Sequence, residues 1–199
     1  MGAPLGTIPV HVAGGSVVAA QPPALTTAQV RRGALTPVVA LRCPVRPGQG
    51  AAAQRAAGWM YIDDGDEPEA GATDCHFLHF QASTWYDSAA IRHRGELLLS
   101  FGRGKGGGGG GGAAACDSGV AWPPLGGVKV LGWGAGVEDM HLETPARGGV
   151  RSLRVEGARV AQGSGRVAVH LSAAQRPALR CPGWVRLAWE SPAQLPAQA

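Results

Sequence analysis

An all-β, antiparallel sandwich architecture is predicted for this 199-residue chain, and three observations predict it. Its 32 glycines and 15 prolines, against a charged fraction of only 16%, favour short strands and frequent turns over long charged helices. Apolar runs a few residues long recur between Gly, Pro, Asp or Ser clusters at the spacing of a sandwich. The stretch "CHFLHFQA" alternates strictly, so Cys75, Phe77 and His79 share one face and His76, Leu78 and Phe80 the other. A hydrophobic fraction of 45% is ordinary for a chain with a real core.

Along the chain, "IPVHV" at 8–12 and "SVVAA" at 16–20 flank Gly14-Gly15 and read as a hairpin that begins a small sheet. The following "QPPALTTAQVRRGALTP" is turn-rich and holds at most one short helical turn, and a domain boundary is expected near Gly33. Strands are then predicted at 38–43, 59–63, 75–82, 89–92, 96–101, 127–133, 150–155, 158–161, 166–171 and 184–189. Asp64-Gly65 and Glu156-Gly157 are the expected two-residue turns, because Gly reaches positive φ without strain and Asp tolerates it. The run 102–119, "GRGKGGGGGGGAAACDSG", lacks side chains that could offset the entropy of ordering and reads as a flexible insertion. The tail from 191 is not expected to pack.

Composition excludes several function classes. The net charge of +4 rests on scattered arginines, with lysine only at Lys105 and Lys129, so nucleic-acid binding is not supported. No apolar run reaches the roughly 18 residues of a membrane span. The opening residues show neither the basic n-region nor the apolar h-region of a signal peptide, and Gly6 stands where a myristoylation signal needs Ser or Thr. Cys43, Cys75, Cys116 and Cys181 form no C-x-x-C pair.

The acidic stretch "DDGDEPE" at 63–69 is the most enzyme-like feature. An EF-hand loop fails on spacing, since Gly65 comes third after Asp63 and no glutamate stands at position 74. At a strand end Asp63 and Asp64 point to opposite faces, which excludes a facing glycosidase pair. "FGRGKGG" after a strand invites a phosphate-loop reading, but Gly106 replaces the obligatory Ser or Thr and no helix follows. Cys75, His76 and His79 have metal-ligand composition, yet alternation puts the two histidines on opposite faces. No G-x-S-x-G occurs. Among the six tryptophans, Trp59, Trp184 and Trp189 fall within strand patterns and are expected in the core. Trp85 and Trp122, nearer loops, are the candidates for an exposed sugar-stacking face.

"PLGTIPVHVAGGSVVAAQPPALTTAQVRR" at 4–32 resembles the segment that follows the catalytic barrel in glycoside hydrolase family 31, the α-glucosidases and their relatives. The likeness runs through Pro4, Leu5, Ile8, Val10, His11, Val12, Gly15, Gln21, Thr26, Thr27 and Arg31. Gly58, Tyr61, Asp63, Asp64 and Gly65 then match the family's G-x-x-[FY]-x-D-D-G-E turn, with Asp66 in place of glutamate. "GGVKVLGWG" and "VRSLRVEGARV" are similar to later strands of its distal domain. Ala13, Glu156 and the polyglycine run depart from the family pattern.

The resemblance implies a partial proximal β-sandwich segment at 1–33, a distal β-sandwich domain at 34–190 carrying the 102–119 insertion, and a disordered tail at 191–199. It also implies a fragment, because in relatives the opening motif follows hundreds of other residues. The edges of the proximal sheet are then expected to be unpaired, with stable folding confined to the distal half. The family's W-x-D-M-N-E-like nucleophile motif is not found, so no catalytic, cofactor or metal residue is carried over. The expected function is that of the non-catalytic C-terminal region of an α-glucosidase-like enzyme, whose partners are the parent's barrel and an α-glucan or oligosaccharide. Relatives occupy secretory, lysosomal and extracellular settings. The alternative is a free-standing carbohydrate-binding sandwich using Trp85 and Trp122.

Overall fold

A computed structural model of the chain describes residues 10–45, 53–62, 77–101, 122–134, 136–146, 148–155, 166–177, 179 and 183–192. Ten strands carry it: β1 (Ser16–Ala20), β2 (Thr36–Val45), β3 (Gln54–Tyr61), β4 (Phe77–Asp87), β5 (Arg92–Phe101), β6 (Gly127–Trp133), β7 (Asp139–Ala146), β8 (Gly149–Arg154), β9 (Arg166–His170) and β10 (Trp184–Pro192). One helix, α1 (Thr27–Arg32), and a 3-10 turn at Ala173–Gln175 are the helical elements among the described residues. The strands form a single sheet in the order β8-β7-β10-β5-β4-β3-β1-β2-β6-β9. All neighbours are antiparallel except β1 with β3 and β2 with β6. The all-β architecture read from the sequence is what the chain adopts.

The sheet curls so that one face becomes the core. Trp133 on β6 meets Trp189 on β10 edge-to-face at 5.9 Å and His93 on β5 at 6.3 Å, although several strands separate β6 from either in the sheet. Val17, Val39, Leu78, Phe80, Leu97, Leu99, Val128, Val130, Leu187 and Trp189 line this interior. Burying every second residue is what the alternating sequence encodes: Leu78, Phe80, Ala82 and Thr84 of β4 are buried, and Phe77, His79, Gln81, Ser83 and Trp85 face outward.

Several expectations are corrected. Residues 10–12 are not strand, so the hairpin across Gly14-Gly15 does not form. Gly15, at φ 89°, turns the chain into β1 and donates its N–H to Ala40 O at 2.7 Å. β1 then pairs along five positions with β2 and at Ser16 with Ala57 of β3, so both of its edges are occupied. Residues 89–91 of the strand expected at 89–92 form a turn, held by the Asp87 carboxylate accepting from the N–H groups of Ala89 and Ala90 at 3.1 Å each, and Arg92 begins β5. β7 had no counterpart in the predicted strands. Ser191, the first residue of the segment not expected to pack, is fully buried within β10, and residues 193–199 lie outside the described residues. The turns at 64–65 and 156–157, the strand at 158–161 and the run at 102–119 lie outside the described residues.

α1 realises the one short helical turn expected in its segment. Thr26 caps it by accepting from the Gln29 N–H at 3.2 Å, and Arg31 and Arg32 sit in the last turn, where cations favour the helix dipole. Gln21 at the end of β1 donates to Gly33 O at 2.9 Å, tying the exit of β1 to the end of the helix. Strands on either side of Gly33, where the boundary was expected, are thus hydrogen-bonded neighbours, and Val17 shares the core with Val39.

Two residues carry testable consequences. A Cβ on Gly58 would collide with the Val17 carbonyl, whereas nothing lies within 4 Å of a Cβ on Gly136. Gly58→Ala should therefore cost about 1–3 kcal/mol in urea unfolding, as overpacking does. Gly136→Ala should leave the midpoint nearly unchanged. His93 is 1% exposed against Tyr86 and Trp133, opposite Ser191, and burial lowers its pKa from the ordinary 6.5. The unfolded chain then takes up the proton first, so stability is full above about 6.5 and is lost as pH falls from there through the folded value. Thermal midpoints measured between pH 8 and 5 should fall on the acid side, and less steeply in His93→Gln.

Candidate functional site

Chemistry collects on the outward face of β3, β4, β5, β10, β7 and β8, where register stacks side chains into cross-strand rows. Trp85, Arg94, Glu190 and Asp139 face one another across β4, β5, β10 and β7. The next row holds Ser83, Glu96, Ala188, His141 and Arg154, and the one after it Gln81, Leu98, Arg186, Glu143 and Ser152. A fourth row holds Trp59, His79, Ser100 and Trp184. Tyr61 and Phe77 follow.

Within these rows opposite charges interlock. Arg186 reaches Glu96 at 2.8 Å and Glu143 at 3.2 Å, and Glu96 also accepts from the Ser83 hydroxyl at 2.7 Å. Arg92 pairs with Glu190 at 3.0 Å and Glu138 at 3.3 Å, and Arg94 with Asp87 at 3.3 Å. Asp139 is held by His141 and Arg154, each at 3.0 Å. The His141 hydrogen bond holds the Asp139 carboxyl below its ordinary range; burial opposes it, and the charges of His141 and Arg154 add to the lowering. Burial pushes the Arg186 pKa down, but the hydrogen bonds and charges of Glu96 and Glu143 outweigh it and raise it. These pairs are partly exposed and contribute little stability each, but together they fix side-chain positions.

Trp85, placed by the sequence among exposed candidates, is half-buried at the edge of this lattice. It lines a groove of about 220 Å³ with Arg94, Asp139, His141, Arg186 and Glu190. Trp122 does not reach the surface. It is 8% exposed and packs edge-on against Phe101 at 4.9 Å, because Phe101 ends β5 on its inward-facing parity. Trp59 reverses the other way: expected in the core, it is 64% exposed. Phe77 lies against both Trp59 at 6.0 Å and Tyr61 at 5.2 Å, and Tyr61 is itself 40% exposed, so three rings form an outward aromatic cluster. Trp184, also expected in the core, is half-buried on the outward parity of β10, while Trp189 is buried as expected. Period-2 alternation could have grouped Trp59 with Tyr61, but not told which face is wet.

His79 sits opposite Trp59 and Arg94 opposite Trp85. His79 Nε2 and Arg94 Nε are both withdrawn from solvent without a hydrogen-bond partner among the described residues. Cys75, His76, Asp63 and Asp64 lie outside the described residues. Among those described, no group of three His, Cys, Asp or Glu side chains converges as a metal site would.

No protein-family profile matches the chain. It is 34% identical over 97 residues to an α-glucosidase of Hordeum vulgare, an overlap covering 48% of this chain and 10% of that protein. It is 32% identical over 98 residues to a probable α-glucosidase of Oryza sativa subsp. japonica, again covering 48% of this chain and 10% of the relative. The chain thus spans about a tenth of the length of the curated relatives it matches. What joins it to them is a partial homology to plant α-glucosidases, over about half of its length, on an all-β curled sheet.

Proposed function

We propose that this chain is a non-catalytic β-sandwich region of a glycoside hydrolase family 31 α-glucosidase-like enzyme. In the whole protein, terminal α-linked glucose is hydrolysed by a retaining, two-carboxylate mechanism within a barrel to which this region is an accessory. The observation that carries the reading is the partial homology of this all-β chain to two plant α-glucosidases. Carboxylate chemistry on the outward face supports it. A retaining pair needs one carboxyl held protonated near neutrality, by burial or a like charge, whereas Asp139 is shifted the opposite way. Glu96, Glu143 and Glu190 each sit against a guanidinium, so among the described residues these carboxylates are engaged in ion pairs within the face.

A second reading, a carbohydrate-binding sandwich, is favoured by the exposed cluster of Trp59, Tyr61 and Phe77 and by the groove beside Trp85. Rings of this kind stack on the C–H faces of pyranoses, and planar polar side chains bond their hydroxyls. The two readings are compatible, since an accessory region can hold the substrate that the barrel cleaves.

The purified chain should show no turnover of a chromogenic α-glucoside above buffer. Turnover that disappears in Glu96→Gln or Asp139→Asn would refute the non-catalytic assignment.

A further inference from the structure

Resting on the carbohydrate-binding reading, we infer that the outward face of β4 is a single linear track for an α-linked gluco-oligosaccharide, with Trp59 and Trp85 as aromatic stations at its two ends. Phe77, His79, Gln81, Ser83 and Trp85 follow one another on that face without a break in register toward β3 or β5. Trp59 stands level with His79, so six residues of strand, about 20 Å at 3.4 Å per residue, separate the stations. Gln81, exposed between them, and Ser83, bonded to Glu96, present amide and hydroxyl groups where an extended ligand would pass. Of the buried nitrogens without a hydrogen-bond partner among the described residues, His79 Nε2 falls at one station and Arg94 Nε, 3.7 Å from the Glu190 carboxylate, at the other. A buried polar atom without a partner is costly, and a ligand hydroxyl admitted by a shift of the neighbouring ring supplies one at either end.

Charge decides the class of ligand. On this face Arg55, exposed level with Ser83, and Arg92, Arg94, Arg154, Arg186 and His141 stand with Asp87, Glu96, Glu138, Asp139, Glu143 and Glu190, so opposite charges nearly balance and no basic stripe forms. A nucleic acid or other polyanion gains nothing there, since its affinity comes from neutralising phosphates. A protein partner fits no better. The centre of a protein interface is depleted in charge, and here the centre of the face is an ion-paired lattice with aromatic rings only at the ends. A neutral polyhydroxylated chain matches both the stacking stations and the fixed donors and acceptors between them.

Two stations on one ligand make affinity depend on its length. A short sugar occupies either station alone, whereas a chain reaching both gains the second contact at high effective concentration. Calorimetric titration of the full chain with maltose and with maltoheptaose tests this. Maltoheptaose should bind at least about tenfold tighter, a threshold set below the roughly hundredfold at which the gain from linked sites starts. Trp59→Ala and Trp85→Ala should each reduce maltoheptaose to maltose-like affinity, the double variant should bind neither, and Trp85→Phe should retain most of the gain. Thermal midpoints close to wild type in these variants confirm that the fold is intact, and Trp59, being 64% exposed, keeps the test valid should Trp85→Ala unfold. Equal affinity for the two sugars overturns the track while leaving carbohydrate binding standing. Absence of binding to both overturns the two together, and displacement of maltoheptaose by a single-stranded oligonucleotide overturns the neutral-ligand assignment.

Discussion

The seam between β3 and β1 is the contact on which the sheet depends. It joins β8-β7-β10-β5-β4-β3 on one side to β1-β2-β6-β9 on the other, and it does so in parallel through one register pair, Ser16 with Ala57. The Ala57 N–H donates to Gly15 O at 3.1 Å, and the absence of a side chain at Gly58 lets the Val17 carbonyl come close. With β1 lifted out, β2 and β3 would each present an unpaired edge in the middle of the molecule. The curl closes over this seam through the Trp133–Trp189 contact, so a narrow backbone junction and an interior aromatic contact hold the same two halves together. Gly58 belongs to the motif that resembles the α-glucosidase family, and the seam gives that glycine a physical reason.

Once the inward face is closed, everything polar on alternate positions is committed to the outward one. The ion-paired rows follow from that parity and from antiparallel register: Arg186 lies directly opposite Glu143 and diagonally beside Glu96, and both pairs close. Gly95 shows how tightly the two faces are coupled. A Cβ there would strike the Trp189 indole, so the inward neighbour of Arg94 and Glu96 is a glycine for the sake of the core ring beneath the lattice.

What the sequence made legible was local and periodic. Alternation in "CHFLHFQA" correctly separated Phe77 and His79 from Leu78 and Phe80, and the turn-rich "QPPALTTAQVRRGALTP" was read as holding at most one short helical turn, which α1 supplies. What it hid was pairing. "SVVAA" reads as half of a hairpin because its true partners, β2 and β3, are reached only after a helix and a long connection. β7 was invisible because its buried positions are only Met140 and Leu142, and the charged positions between them look like loop until Arg186 and Arg154 are brought alongside. Trp59 and Trp122 exchanged places for one reason each: alternation carries no sign, and a loop tryptophan is drawn inward by a ring it cannot see in sequence.

Rigidity explains why such a face suits holding a ligand better than transforming one. Proton transfer calls for a carboxyl free of cationic partners, whereas Glu96, Glu143, Glu190 and Asp139 have at least one arginine each. The same pairing holds side chains in place before a ligand arrives, so less conformational entropy is lost on binding. If the chain is the accessory region proposed, fixed polar groups between aromatic ends would serve to hold a sugar chain rather than to cleave it. In the proposed track Trp59 and Trp85 would set how far along the sheet a sugar chain is held, while Arg186, two strands from β4, is braced between Glu96 and Glu143.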